Sequence, residues 1–185
     1  KKPSVVLIGD SITHYWAGEP AGSRASGTDS WKKLWKGREV VNLGFGWDRI
    51  ENVLWRIYHG ELDGYKAEDI FILIGTNNFS SCEKVEDIVD GINQIVDAVH
   101  VRQPDARIFV SGILPRQGNE KKVELLNKVL QARLHYDKAV YVDASEAFLG
   151  PDGRIDPACF LSDGLHPGEE GYRRYAGVLG KAMGK

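Results

Sequence analysis

Ser11 follows the apolar run Val5-Val6-Leu7-Ile8 by way of Gly9 and Asp10. Three roles fit a serine that ends a strand this way: a turn residue, the cap of a following helix, or a nucleophile beside N–H groups that stabilise an oxyanion. A glycine-rich turn of this kind can also cradle phosphate, but neither GxGxxG nor GxxxxGK[ST] is present. Far along the chain, Asp163 and His166 stand three apart, separated by Gly164 and Leu165 and followed by Pro167. That spacing lets the carboxylate fold back onto one imidazole nitrogen and leaves the other as a base. Taken alone, a turn aspartate beside a surface histidine fits equally well. Gly44 in "NLGFGWD" and Asn77 in "GTNN" read either as turn residues or as oxyanion donors, through a backbone N–H and a side-chain amide respectively.

These groups become one site only if the fold gathers them. Five β-rich runs, Ser4–Ile8, Glu39–Leu43, Asp69–Ile74, Arg107–Ile113 and Ala139–Asp143, are mostly continuously apolar, as strands covered on both faces are. Helical stripes lie between them. Ser30 is expected to cap a short helix carrying Trp31, Leu34 and Trp35, with Gly37 as its stop. Ile50, Val53, Leu54 and Ile57 mark the next. A third is expected to start at Ser80 or Ser81 with Glu83 as capping-box partner, and to carry Val85, Ile88, Val89, Ile92, Ile95, Val96 and Val99. Val123, Leu126, Leu130 and Leu134 mark a fourth; Tyr172, Tyr175, Ala176 and Leu179 mark the last. The stretch Ala17–Asp29 reads as an irregular surface loop, and Pro151-Asp152-Gly153-Arg154 as a turn at the tip of a small hairpin. Strand alternating with helix implies parallel strands with right-handed crossovers, an α/β three-layer sandwich. Ligands in such sheets lie beyond the carboxyl ends of the strands. Ser11, Gly44, Asn77, Leu114-Pro115-Arg116 and the Asp163/His166 segment all follow strand ends.

The bulk composition narrows the function classes. The chain has 185 residues, 42% apolar and 27% charged, with a formal net charge of −2 and no basic run. That suits one domain, 1–185, and gives no electrostatic support to a nucleic-acid or anionic-membrane partner. No apolar stretch reaches the length of a membrane span. Cys82 and Cys159 lack metal-ligand spacing and are expected to be free buried thiols. The opening Lys1-Lys2-Pro3 lacks an initiating Met, as a trimmed product would, so cytoplasmic and secreted or periplasmic locations both stay open.

Four spaced blocks carry a resemblance. "GDSI" at Gly9–Ile12, the glycine of "NLGFG" at Gly44, "GTNN" at Gly75–Asn78 and "DGLHP" at Asp163–Pro167 resemble, in order, the motifs of the SGNH (GDSL-type) hydrolases. "VLWR" at Val53–Arg56, "GEL" at Gly60–Leu62, the Arg102–Arg107 stretch and "LPR" at Leu114–Arg116 are similar to the catalytic subunits of the intracellular platelet-activating-factor acetylhydrolases. The "GDSITHYW" opening resembles bacterial carbohydrate O-acetylesterases.

The resemblance implies a flavodoxin-like five-stranded parallel sheet of order 2-1-3-4-5 and ester hydrolysis through an acyl-enzyme, without metal or organic cofactor. It makes Ser11 the nucleophile, His166 the base and then the acid, and Asp163 the residue that orients the imidazole. Ser11, Gly44 and Asn77 become the oxyanion hole. Asp10, Trp47, Asn78, Phe79 and Leu165 are expected to line the substrate site, and Tyr15, Trp16 and Phe45 lie close to the same blocks. Aromatics there can stack on a sugar, wall a short acyl pocket, or pack the core. A small-molecule or glycan acyl ester is the expected partner, acetyl above all, with a homodimer as a further expectation from the acetylhydrolase subunits. The Ala17–Asp29 stretch and the Phe79-Ser80-Ser81 continuation depart from those subunits, so their phospholipid substrate does not transfer. A lysophospholipase or thioesterase is the alternative within the enzymes. Outside them stands a non-catalytic flavodoxin-like binding module, against which a base beside a hydroxyl argues.

Overall fold

The computed structural model describes residues 3–17, 24–80 and 83–184. Five strands, β1 (Val5–Gly9), β2 (Val40–Gly44), β3 (Asp69–Leu73), β4 (Arg107–Ser111) and β5 (Ala139–Val142), form one sheet in the order β2-β1-β3-β4-β5. Every pairing is parallel, and Gly9 of β1 lies opposite Gly44 on one side and Leu73 on the other. The strand ends that carry the chemistry are thus in register at one edge.

The continuous apolar runs are explained by two cores. Val6, Ile8, Ile70, Ile72, Ile108 and Val110 point to one face, where α3 (Ile50–Tyr58), α5 (Val85–Arg102) and α6 (Glu120–Arg133) bury their stripes. Val5, Leu7, Phe71, Leu73, Phe109 and Val142 point to the other, under α2 (Thr28–Leu34) and α7 (Glu169–Ala182). Alternation is present along each strand, but both faces are apolar, so it does not show in the sequence. Two short helices, α1 (Ser11–His14) and α4 (Thr76–Ser80), start directly beyond β1 and β3. Among the described residues no helix is long and apolar enough to cross a membrane.

Three local expectations are corrected. Ser30 is not a cap: α2 begins at Thr28 behind Gly27, and the Ser30 hydroxyl donates to the Gly27 carbonyl at 2.8 Å while accepting from Trp16 Nε1 at 3.0 Å. Thr28 and Asp29 therefore belong to a helix, not to a surface loop; residues 18–23 of that stretch lie outside the described residues. Helix α5 starts at Val85 behind Lys84, because Glu83 is engaged elsewhere: its carboxylate accepts from Asn78 Nδ2 at 3.0 Å and pairs with Arg49. Ser81 and Cys82 also lie outside the described residues. Cys159 is buried and free, and an antiparallel bridge between Leu149 and Ile155 closes the hairpin around Pro151–Arg154.

Candidate active site

Asp10 makes the turn that presents Ser11. Its carboxylate accepts the N–H of Ile12 at 2.9 Å and so caps α1. The turn is tight on both sides. A Cβ on Gly9 would fall 2.1 Å from Thr13 Oγ1, and one on Gly44 would fall 2.4 Å from the His14 nitrogen, so only glycine lets β2 approach α1 this closely. Asn42 straps the two together, donating from Nδ2 to the Thr13 carbonyl at 2.8 Å. On the far side, Tyr172 of α7 donates its hydroxyl to the Ile12 carbonyl at 2.6 Å, and its ring stacks on Trp16 with centroids 5.5 Å apart. The helix that follows Pro167 is thereby bolted to the turn carrying Ser11.

That bolt brings together residues 155 positions apart. His166 Nε2 lies 2.9 Å from Ser11 Oγ, and His166 Nδ1 lies 2.8 Å from Asp163 Oδ2. With Nδ1–H donating to the carboxylate, Nε2 is left to accept the Ser11 hydroxyl proton. Asp163 is itself fixed: its Oδ1 accepts the N–H groups of Leu165 at 3.0 Å and His166 at 2.9 Å, and Arg24 lies 3.5 Å from Oδ2. Partial burial opposes charge on Asp163, but the His166 N–H, the imidazole and the Leu165 N–H outweigh it and hold the carboxyl below the ordinary aspartate range. The loop is pinned from outside by the Leu161 N–H on the His166 carbonyl at 2.8 Å and the Gln117 N–H on the Gly164 carbonyl at 3.2 Å. A cavity of about 1020 Å³ lies beyond it, against Phe160, Leu161 and α6, and is lined by neither Ser11 nor His166.

The expected oxyanion donors need one correction. The Gly44 N–H is donated to Asn42 Oδ1 at 2.8 Å, so Gly44 serves close packing rather than a reacting oxygen. Along the same loop the Phe45 N–H goes to the Gly9 carbonyl, the Gly46 N–H to His14 Nδ1 and the Asp48 N–H to the Phe45 carbonyl. The Trp47 N–H has no acceptor among the described residues, nor has that of Ser11. Accounting for each backbone donor in turn thus leaves the Trp47 N–H, not that of Gly44, as the donor of this loop without a partner among the described residues. Asn77 sits at the start of α4 and donates from Nδ2 to the Asp48 carbonyl at 2.8 Å, which ties its amide to the same loop.

The substrate-lining expectations divide. Asp10, Asn78 and Phe79 are buried, and the contacts found for each lie within the protein. Asn78 accepts the Ile50 N–H at 2.9 Å and donates to Glu51 and Glu83, each at 3.0 Å, clamping the loop that ends in Arg49. Phe79 packs in the core beneath the Lys122 ammonium. Leu165 is partly buried against the α7 side, and Trp47 stands 85% exposed. Trp16 is core, Phe45 lies under the Arg56 guanidinium at 4.6 Å, and the Tyr15 ring is 5.1 Å from that of His166.

Burial pushes the Asp10 carboxyl up from its ordinary 3.8 to about 7, against the pull of the Ile12 and Asp10 N–H groups. The folded protein then holds a proton that the unfolded chain releases near pH 4, so this group's stabilising contribution is full below that pH and is lost as pH rises to about 7. Asp10→Asn keeps an acceptor for the Ile12 N–H but cannot ionise. Its stability relative to the parent is expected to rise between pH 4.5 and 7.5, by up to ~1.4 kcal/mol per pH unit. Urea denaturation at the two pH values checks this, and parallel behaviour of the two proteins would refute it.

Comparison with known proteins shows which family the chain belongs to. The GDSL-like lipase/acylhydrolase family profile matches residues 7–174. Platelet-activating factor acetylhydrolase IB subunit alpha1 of Rattus norvegicus is 33% identical over 177 residues, covering 93% of this chain and 71% of the relative. The human alpha2 subunit is 31% identical over 182 residues, covering 94% and 73%. Among solved structures, the acetylxylan esterase Axe2 of Geobacillus stearothermophilus shares the fold with a TM-score of 0.74 at 16% identity, covering 99% of this chain and 94% of that one. A GDSL-like lipase of Bacteroides thetaiotaomicron does so at 0.75 and 17%, covering 97% and 87%. The profile match over most of the chain and the identity to the acetylhydrolase subunits place this protein in the GDSL-like lipase/acylhydrolase family, as a hydrolase acting on ester bonds.

Proposed function

We propose that the chain is a serine esterase that removes short acyl groups, acetyl above all, from carbohydrate esters. The observation that carries the mechanism is the continuous relay Asp163–His166–Ser11, at 2.8 and 2.9 Å. Ser11 Oγ attacks the ester carbonyl carbon while its proton passes to His166 Nε2. The oxyanion forms against the N–H groups of Ser11 and Trp47 and the Asn77 amide. Collapse expels the alcohol, which takes the proton back from His166, and leaves an acyl-Ser11 ester. Water then attacks that ester with His166 again as base, releasing the acid and restoring the serine. Such donors act because they are fixed before charge develops. The Asp48 carbonyl held by Asn77 and the Gly46 N–H held by His14 supply that rigidity here.

The preference for acetyl is supported by the acetylhydrolase relatives and the acetylxylan esterase fold neighbour. A p-nitrophenyl ester series tests it. Acetate is expected to react fastest, with butyrate slower and decanoate at least about tenfold slower still. A profile that peaks at decanoate would replace this reading with a lysophospholipase or thioesterase. The 33% identity to the alpha1 subunit favours a second substrate class, an acetylated phospholipid with the deacetylated lipid as its leaving alcohol, so that ester belongs in the panel beside acetylated xylan and mannan.

A further inference from the structure

We propose that the Trp47 indole is a platform for the sugar ring of the leaving group, and that it makes this enzyme select neutral pyranose acetates over other acetyl esters. The inference deepens the carbohydrate reading above and rests on it. Trp47 is 85% exposed and makes no ring contact with another aromatic side chain among the described residues. Its φ is 69°, in the left-handed region that bulky residues seldom occupy. That backbone leaves the Trp47 N–H without an acceptor among the described residues, as its proposed oxyanion role requires. The ring beside that donor is left uncovered.

The backbone around Trp47 is rigid although its ring is uncovered. The Gly46 N–H is held by His14 Nδ1 at 3.2 Å, the Asp48 N–H by the Phe45 carbonyl at 3.1 Å, and the Asp48 carbonyl by Asn77 at 2.8 Å. The Asp48 carboxylate pairs with Arg56. Phe45, two residues before Trp47, donates its N–H to Gly9, two residues before Ser11. The indole therefore stands on a fixed turn whose backbone is tied to the strand end that leads into Ser11, which avoids the ordering cost a mobile contact would carry.

The ligand class follows from what surrounds the ring. A quaternary ammonium is held best by a cage of several aromatic faces, and among the described residues no second ring meets Trp47. A flat, neutral indole face instead suits the C–H face of a pyranose, whose hydroxyls stay in water.

The test compares acetylated xylotriose, methyl acetate and acetylcholine as substrates of the parent, Trp47→Gly and Trp47→Phe. Glycine takes φ near 69° without strain, so the loop keeps its fold. The ratio of kcat/KM for acetylated xylotriose to that for methyl acetate is expected to fall about tenfold or more in Trp47→Gly, through KM, and to recover in large part in Trp47→Phe. An unchanged ratio, or a loss confined to acetylcholine, overturns the proposal. Calorimetric titration with unacetylated xylotriose separates the two levels. Binding that survives Trp47→Gly overturns the platform whatever the catalysis, whereas failure of the parent to turn over methyl acetate overturns the esterase reading itself.

Discussion

Ser11→Ala is expected to lower kcat/KM for an acetate ester by roughly 10⁴- to 10⁶-fold, because the oxygen that forms the acyl-enzyme is gone. The effect should fall on kcat, since Ser11 contributes no extended contact to a bound substrate. Folding should be little affected. Asp10 still accepts the Ile12 N–H, Tyr172 still donates to the Ile12 carbonyl, and the apolar side chains around α1 are untouched. What is lost is one hydroxyl–imidazole hydrogen bond, worth on the order of 1 kcal/mol in a partly buried setting. Initial rates and urea denaturation on the same preparation measure both quantities, and a fluorophosphonate probe should label the parent but not the variant. Parental turnover in a folded Ser11→Ala protein would remove Ser11 from the chemistry.

Much of this site was legible in the sequence because its parts sit at strand ends, and strands buried on both faces are continuous apolar runs that composition exposes. Ser11, Asn77, Asp163 and His166 were gathered as candidates that way, and the resemblance supplied their roles. What the sequence hid depends on where hydrogen bonds go. Gly44 was expected to aim its N–H at the oxyanion, yet Asn42 curls back from the end of β2 and takes it. No local pattern marks that asparagine, because its other partner, Thr13, is 29 residues away. Asp10, Asn78 and Phe79 adjoin the motif residues but face inward, since neighbours in a one-turn helix point to different sides. The Tyr172–Trp16 stack was equally out of reach: the C-terminal stripe showed a buried face, but not that one member of it fastens the nucleophile's helix. Trp47 was named for its aromatic ring; the left-handed backbone that leaves its N–H without an acceptor among the described residues is something no residue type announces.

Asp163→Asn is expected to reduce kcat by about 10⁴-fold with little change in KM, although it alters only one atom of the side chain. The asparagine carbonyl can keep the acceptor role of Oδ1 for the Leu165 and His166 N–H groups, so the loop and the imidazole stay in place. The atom facing His166 Nδ1, however, becomes an NH₂ donor. Nδ1 must then accept, which moves the ring proton to Nε2, where it points at Ser11 Oγ across 2.9 Å. An imidazole donating to the serine cannot also take its proton, so the nucleophile is correctly placed but not activated. The electrostatic support of the imidazolium formed during attack is lost at the same time. In the parent, the depressed pKa of Asp163 keeps the carboxylate ionised above its ordinary value of 3.8. Its stabilising contribution is present there and is lost only as pH falls through the folded-state pKa. Asp163→Ala provides the contrast, because it leaves the two loop N–H groups without their acceptor and should cost stability as well as rate. Steady-state kinetics with urea denaturation on both variants decides the matter: an Asp163→Asn enzyme within tenfold of the parent would show that the carboxylate only shapes the loop.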